Sequence, residues 1–351
     1  MTAMLDKITV CLDMHGCPNR CRHCWLGNTP NGHMNVDDLC DVAARFRSHT
    51  SCLTIYDWYR EPDYSDDYRE RWELCGRLSD TRDEHFELIS VWRIVRDDSY
   101  AEWLRELGLK AAQLTLFGGR ETTDYYTGRK GAYDDILRAV EILLDHQISP
   151  RIQVFINKDN ISELGHIEKL IQDLELAERC KTFGGEFSCF VHQGSCDGEN
   201  ERNYIRWVTP EDLELIPPLL REYTLRHFGK SSLREVFGET EQSLYERLSV
   251  DDTTESLVSC EPVFYVDREF DVYPNLSTPS PQWRLGNLKR DGAEKILDCY
   301  LNSRSLAQHI RLNTPTRELV VSQGDPTSQR LFMREDYLEL MLNRYCRALV
   351  N

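Results

Sequence analysis

The sequence predicts an α/β protein: a partial (β/α)6 TIM-like barrel followed by a smaller α+β C-terminal subdomain. Three observations carry that prediction. Short apolar, β-branched runs alternate with amphipathic stretches over residues 7–192. The alternation calls for parallel strands joined by right-handed crossovers, and beyond residue 205 the pattern turns irregular, then recovers as short strands and helices.

In chain order the strand-like runs are KITVCLDM (7–14), SCLTIYDW (51–58), FELISVWRIV (86–95), AAQLTLF (111–117), RIQVFIN (151–157) and EFSCFVH (186–192). Helical stretches fall between them at 36–49, 64–79, 99–108, 132–146 and 161–176. In the fourth of these, Ile136, Leu137, Val140, Leu143 and Leu144 recur at helical spacing and form one buried stripe. The reading therefore divides the chain into a barrel (1–205), a helical linker (206–250, with Thr209 capping a helix that starts at Pro210) and a C-terminal subdomain (251–351).

Composition sets the bounds. A formal net charge of −17 without a concentrated Lys/Arg block excludes a broad polyphosphate-binding surface, so nucleic acid is not an expected partner. No window approaches a membrane-spanning apolar run and the first residues do not read as a signal peptide, so the expectation is a soluble cytoplasmic protein. Thirteen cysteines, an odd number scattered over 351 residues, do not form a secreted disulfide pattern.

Three of them are not scattered. CPNRCRHCWLG (17–27) places Cys17, Cys21 and Cys24 in a C-x3-C-x2-C spacing directly after the first strand. In barrels, the loops at strand C-termini form the functional face. Three thiols there are open to several readings: a zinc site completed by His15 or His23, a chance cluster of core cysteines, or an iron–sulfur cluster with one iron left open.

That spacing in that loop resembles the radical S-adenosylmethionine (radical SAM) superfamily. The resemblance implies a [4Fe–4S] cluster on Cys17, Cys21 and Cys24, whose open iron takes S-adenosyl-L-methionine and cleaves it to a 5′-deoxyadenosyl radical. It implies that His23, at the usual aromatic position, packs against the cofactor. It also implies an acid after the second strand for the methionine amine; here Tyr59-Arg60-Glu61-Pro62 keeps Glu61 and Pro62 and replaces two glycines. Gly118-Gly119-Arg120-Glu121 looks more like that turn by letters but follows the fourth run, and position decides for Glu61.

In RIQVFIN the aliphatic Ile152, Val154 and Ile156 should face outer helices, turning Gln153, Phe155 and Asn157 inward. By the resemblance, Thr115, Gln153 and Asn157 are cofactor-binding candidates, with Asn157 for the ribose. His192, Arg120, Glu121 and Lys158 are the catalytic candidates on the substrate side. Arg60, Arg93, Arg120 and Lys158 would suit an anionic substrate.

Residues 251–351 resemble the SPASM or twitch subdomain of many such enzymes through Cys260, Tyr273-Pro274 and Leu285-Gly286-Asn287. Asn275 replaces its second cysteine and Phe270 its hairpin glycine, so no second cluster is expected. The implied activity is a redox-neutral elimination, rearrangement, epimerisation or decarboxylation, lyase chemistry among them. The expected substrate is a small sugar, nucleoside or amino-acid-derived metabolite, possible in antibiotic biosynthesis, because strand one begins near residue 7 and leaves no preceding leader-binding domain. A flavodoxin or ferredoxin would supply the electron. The alternatives are a peptide-modifying maturase and, outside enzymes, a cluster- or zinc-binding scaffold.

Overall fold

The computed structural model describes residues 4–13, 16–27, 32, 34–57, 60–81 and 84–350; His15 and Tyr59 lie outside them. Ten strands are present among the described residues. They are β1 (Leu5–Leu12), β2 (Thr50–Tyr56), β3 (Ala111–Leu116), β4 (Ser149–Phe155), β5 (Ser188–His192), β6 (Glu239–Thr240), β7 (Val263–Val266), β8 (Asp271–Pro274), β9 (Gly286–Asn287) and β10 (Leu331–Phe332). Between the first five run α1 (Val36–Arg47), α2 (Tyr68–Leu78), α3 (Val91–Ile94), α4 (Tyr100–Glu106), α5 (Arg120–Thr127), α6 (Ala132–Asp145), α7 (Leu164–Asp173) and α8 (Leu176–Lys181).

Five of the six predicted barrel strands form. The exception is FELISVWRIV: only Leu88 makes a parallel bridge, to Gln113. Ser90 then caps α3, its hydroxyl accepting from the Arg93 amide. An apolar run of that length fits a strand or a buried helical turn equally well, and the serine cap decides it. As a result the strands do not close into one barrel. They form one sheet ordered β2-β1-β7-β8-β9 and another ordered β3-β4-β5.

Each sheet packs one face on helices. Ile8, Val10 and Leu12 of β1 join Leu53, Ile55, Phe264 and Val266 in a core shared with Val42 and Phe46 of α1. Ile152 and Val154, with Ile156, join a separate core with Ile136, Val140 and Leu143 of α6 and Ile167 of α7, as the alternation requires. The opposite faces, carrying Cys11, Asp13 and Tyr265 in one sheet and Gln113, Thr115 and Gln153 in the other, are left for the site.

After β5 the chain is helical, with α9 (Pro218–Phe228), α10 (Leu233–Phe237) and α11 (Glu241–Leu248). The predicted Thr209 cap is not made. Thr209 instead donates its amide and hydroxyl to Asp212, at 2.8 and 2.9 Å, and Asp212–Leu215 is a short 3-10 turn.

In the C-terminal third, β7 pairs in parallel with β1, Cys11 opposite Tyr265, so the hairpin β7–β8 extends the N-terminal sheet. Phe270, in place of the expected glycine, adopts the left-handed conformation (φ 66°). Its buried ring under Lys289 offsets the backbone cost. Asn287 of the Leu-Gly-Asn turn caps α12 (Leu288–Leu301), accepting from the Arg290 amide at 3.2 Å. Helices α13 (Leu306–Asn313), α14 (Thr316–Gln323) and α15 (Arg334–Val350) complete the chain; no helix of the described residues is long and apolar enough to cross a membrane.

Candidate functional site

The cysteine loop leaves the end of β1 and is clamped on two sides. Arg20 and Arg22 donate their amides to Thr127 and Tyr126 at 3.0 and 2.8 Å, while Glu199 donates to the Cys24 carbonyl at 2.8 Å. Gly128 and Gly198 permit this close approach: both have positive φ, and a Cβ on either would collide with loop carbonyls, of Arg20 and of Cys24 and Trp25 respectively. The three half-buried thiols therefore sit on a backbone fixed by its neighbours as well as by its own turns, in which Cys24 donates its amide to Cys21 at 3.3 Å and Gly27 donates to Cys24 at 3.1 Å.

Burial pushes all three thiols above their ordinary range, Cys17 and Cys21 well above it. For Cys17 the charges of Glu61 and Cys21 add to that push; for Cys21 those of Cys24 and Glu61 do. Thiols that oppose one another's ionisation in this way persist together as thiolates only with positive charge among them, which iron supplies. Cysteine thiolates are the usual ligands of a four-iron cluster, and three of them carried on one loop, beside the acid Glu61, fit the donor set of such a cluster with one iron left open.

Glu61 is the neighbouring acid. Its Oε2 accepts from the Cys17 thiol at 3.7 Å and its Oε1 from Ser90 at 2.9 Å. Burial raises its carboxyl to about 7, partly opposed by those two hydrogen bonds. His23 packs between Phe117 and Phe155, ring centroids 4.7 and 4.3 Å away. Its Nδ1 is buried with no hydrogen-bond partner among the described residues, and burial, then the charge of His192, lowers the ring to about 3, so it is neutral.

A second polar group lines β3–β5. Gln153 accepts from Thr115 at 3.3 Å and also meets Gln113 and Nε2 of His192. Phe155 stands 4.7 Å from the His192 ring and links this group to His23. Burial holds His192 down at about 4, which keeps it neutral. Gln113, Phe117 and Ser90 were not singled out from sequence, although Gln113 shares the Thr115 face by simple alternation.

The remaining candidates lie elsewhere. Asn157 is buried two residues past β4, its amide donating to Tyr126 Oη at 2.8 Å and its oxygen accepting from the Asp159 amide at 2.8 Å. Arg120 and Glu121 begin α5 on the exposed side, where Arg120 pairs with Asp134. Lys158 is exposed, 4.0 Å from Asp212. The glycine turn at 118–119 is already filled: Glu163 accepts from the Gly119 amide at 2.7 Å and from the Thr122 hydroxyl at 2.5 Å. Arg93 is buried and donates to the carbonyls of Asp63, Tyr64 and Ser65, a staple for that loop rather than an anion receptor.

Known proteins resemble this chain in sequence or in fold. Residues 12–171 match the family described as Radical SAM superfamily. Over 93 residues, 26% of this chain, the sequence is 32% identical to the Fe-coproporphyrin III synthase of Methanosarcina barkeri (strain Fusaro / DSM 804); the match spans 23% of that relative's length. The structure of native anSMEcpe with bound AdoMet covers 97% of both chains with a TM-score of 0.54 and 15% identity. The same coverage and TM-score hold, at 14% identity, for anSMEcpe with bound AdoMet and the Cp18Cys peptide. At such identities the likeness is one of fold.

Proposed function

The chain belongs to the radical SAM superfamily, and from that premise we propose that it is an enzyme that abstracts a hydrogen atom from a small-molecule substrate. The observation that carries this reading is the contact of Glu61 with Cys17 at the C-terminal ends of β1 and β2. Cys17, Cys21 and Cys24 would hold the cluster and Glu61 the ammonium of SAM; together the bound cofactors supply a 5′-deoxyadenosyl radical.

The chain's own residues then have three tasks. With Cys17 ionised, its thiol no longer donates to Oε2 of Glu61, which frees that oxygen for an ammonium while Ser90 keeps the carboxylate oriented. His23, Phe117 and Phe155 form an apolar wall that excludes water. Thr115, Gln153 and His192 offer neutral polar groups of the kind that ribose hydroxyls need. Asn157, satisfied by Tyr126 and backbone, acts as a positioning residue for the wall, and Arg120, Glu121 and Lys158 act at the rim or in surface pairing. A flavodoxin- or ferredoxin-type donor supplies the electron.

A second reading, a peptide substrate, is favoured by the likeness to the anSMEcpe peptide complex over almost the whole chain. One experiment tests both. The anaerobically reconstituted protein is examined by EPR with and without SAM, then assayed for 5′-deoxyadenosine with small metabolites and with peptides. A cluster signal that ignores SAM overturns the radical reading; turnover with peptides alone replaces the small-molecule one.

A further inference from the structure

Asp13 stands one residue past β1, on the face turned away from the helices, and is about nine-tenths buried. Its Oδ2 accepts from Tyr265 Oη at 2.9 Å and from Nε of Arg60 at 3.4 Å. Its Oδ1 is buried and has no hydrogen-bond partner among the described residues. Three distant segments build this arrangement: the end of β1, the turn after β2, and β7. Arg60 also donates through Nη1 to the Gly27 carbonyl at 2.9 Å, which ties the carboxylate to the exit of the cysteine loop.

A buried carboxylate oxygen without a donor is costly, and both protein donors are committed to the other oxygen. The open lone pairs therefore face a ligand. Its charge can be read as well: Arg60 balances Asp13, and Arg268, which adds a weaker positive field, is itself paired with Glu269 at 2.7 Å. A cationic ligand would meet a carboxylate already balanced by Arg60, and a carboxylate or phosphate would meet Oδ1 itself. A neutral donor, above all a hydroxyl, suits both.

The geometry points to Asp13 as an anchor for a neutral hydroxyl of the substrate, with Arg60 and Tyr265 as positioning residues that fix which oxygen is offered. This deepens the proposed function and rests on it, because Arg60, which holds the anchor, directly precedes Glu61 and bonds the exit of the cysteine loop. It selects hydroxylated molecules, such as sugars or nucleosides, from the possible substrates, and it reverses the expectation that arginines here recruit an anion.

The test uses crystals of the reconstituted, SAM-loaded protein soaked separately in isopropanol, acetone and isopropylammonium, three probes of one shape. Wild type is expected to seat isopropanol on Oδ1, and to seat neither acetone, which cannot donate, nor the cation. In Asp13→Asn, Tyr265 and Arg60 still claim the oxygen, so the new amide points inward, acetone is admitted and the preference for isopropanol is lost. Tyr265→Phe should at least halve isopropanol occupancy. The proposal is overturned if an atom of SAM occupies Oδ1, if isopropylammonium is preferred, if a water there resists every probe, or if Asp13→Asn leaves the isopropanol preference unchanged. Loss of the SAM-sensitive EPR signal in wild type would instead sink the radical reading, and is recorded separately.

Discussion

Two turns at strand ends offer nearly the same chemistry and are used differently. After β2, Arg60-Glu61-Pro62 lacks glycines, yet Glu61 reaches Cys17 and is held by Ser90. After β3, Gly118-Gly119 has the glycines, yet its amide already binds Glu163 from the far side of β4. The first turn keeps an acid facing the thiols, while the second has its own acid built in. On the proposed reading, position relative to the cysteine loop, rather than glycine content, separates a ligand site from a structural one.

The comparison can be broken in steps. Changing Cys17, Cys21 and Cys24 together to Ala should remove the cluster altogether, read as loss of iron and of the visible absorbance. Iron kept at full stoichiometry would mean that other residues hold it. Glu61→Gln should keep the cluster and weaken SAM by about 1.5–3 kcal/mol, roughly ten- to hundredfold, through loss of a charge-assisted hydrogen bond; titration of the EPR change with SAM measures it. Glu163→Ala should do the converse. Leaving the Gly119 amide and Thr122 hydroxyl unpaired costs about 1–3 kcal/mol of stability, seen in the denaturation midpoint, with SAM affinity unchanged. Ser90→Ala removes both a helix cap and a support of Glu61, so about 1 kcal/mol of stability and a few-fold of SAM affinity should go together. If Glu163→Ala weakened SAM as much as Glu61→Gln, the two turns would have to be exchanged in role.

The same pair shows how far the sequence could be read. The cysteine spacing, the Glu-Pro turn and the outward set Ile152, Val154 and Ile156 are local patterns, and they stand where the periodicities put them. Residues 86–95 were misread because apolar length alone does not separate a strand from a helical turn, although Ser90 ahead of Val91 was a cap signal. The occupied state of the Gly119 turn was not legible, since Glu163 lies 44 residues away. Neither was Asp13: a single acid after a strand looks like an ordinary turn residue until Tyr265, 252 positions later, is folded against it.

The parallel pairing of β7 with β1 also sets an order of events during synthesis. β1 can pair with β2 as soon as residue 56 is free of the ribosome, but its other edge gains a partner only when residues 263–266 emerge. At cellular elongation rates the delay is roughly ten to forty seconds. For that time β1 presents an unpaired apolar edge beside three open thiols, a state prone to misassociation and premature metal capture. Release of Tyr265 both covers the edge and brings its hydroxyl to Asp13, so completion of that carboxylate's surroundings coincides with protection of the nascent chain.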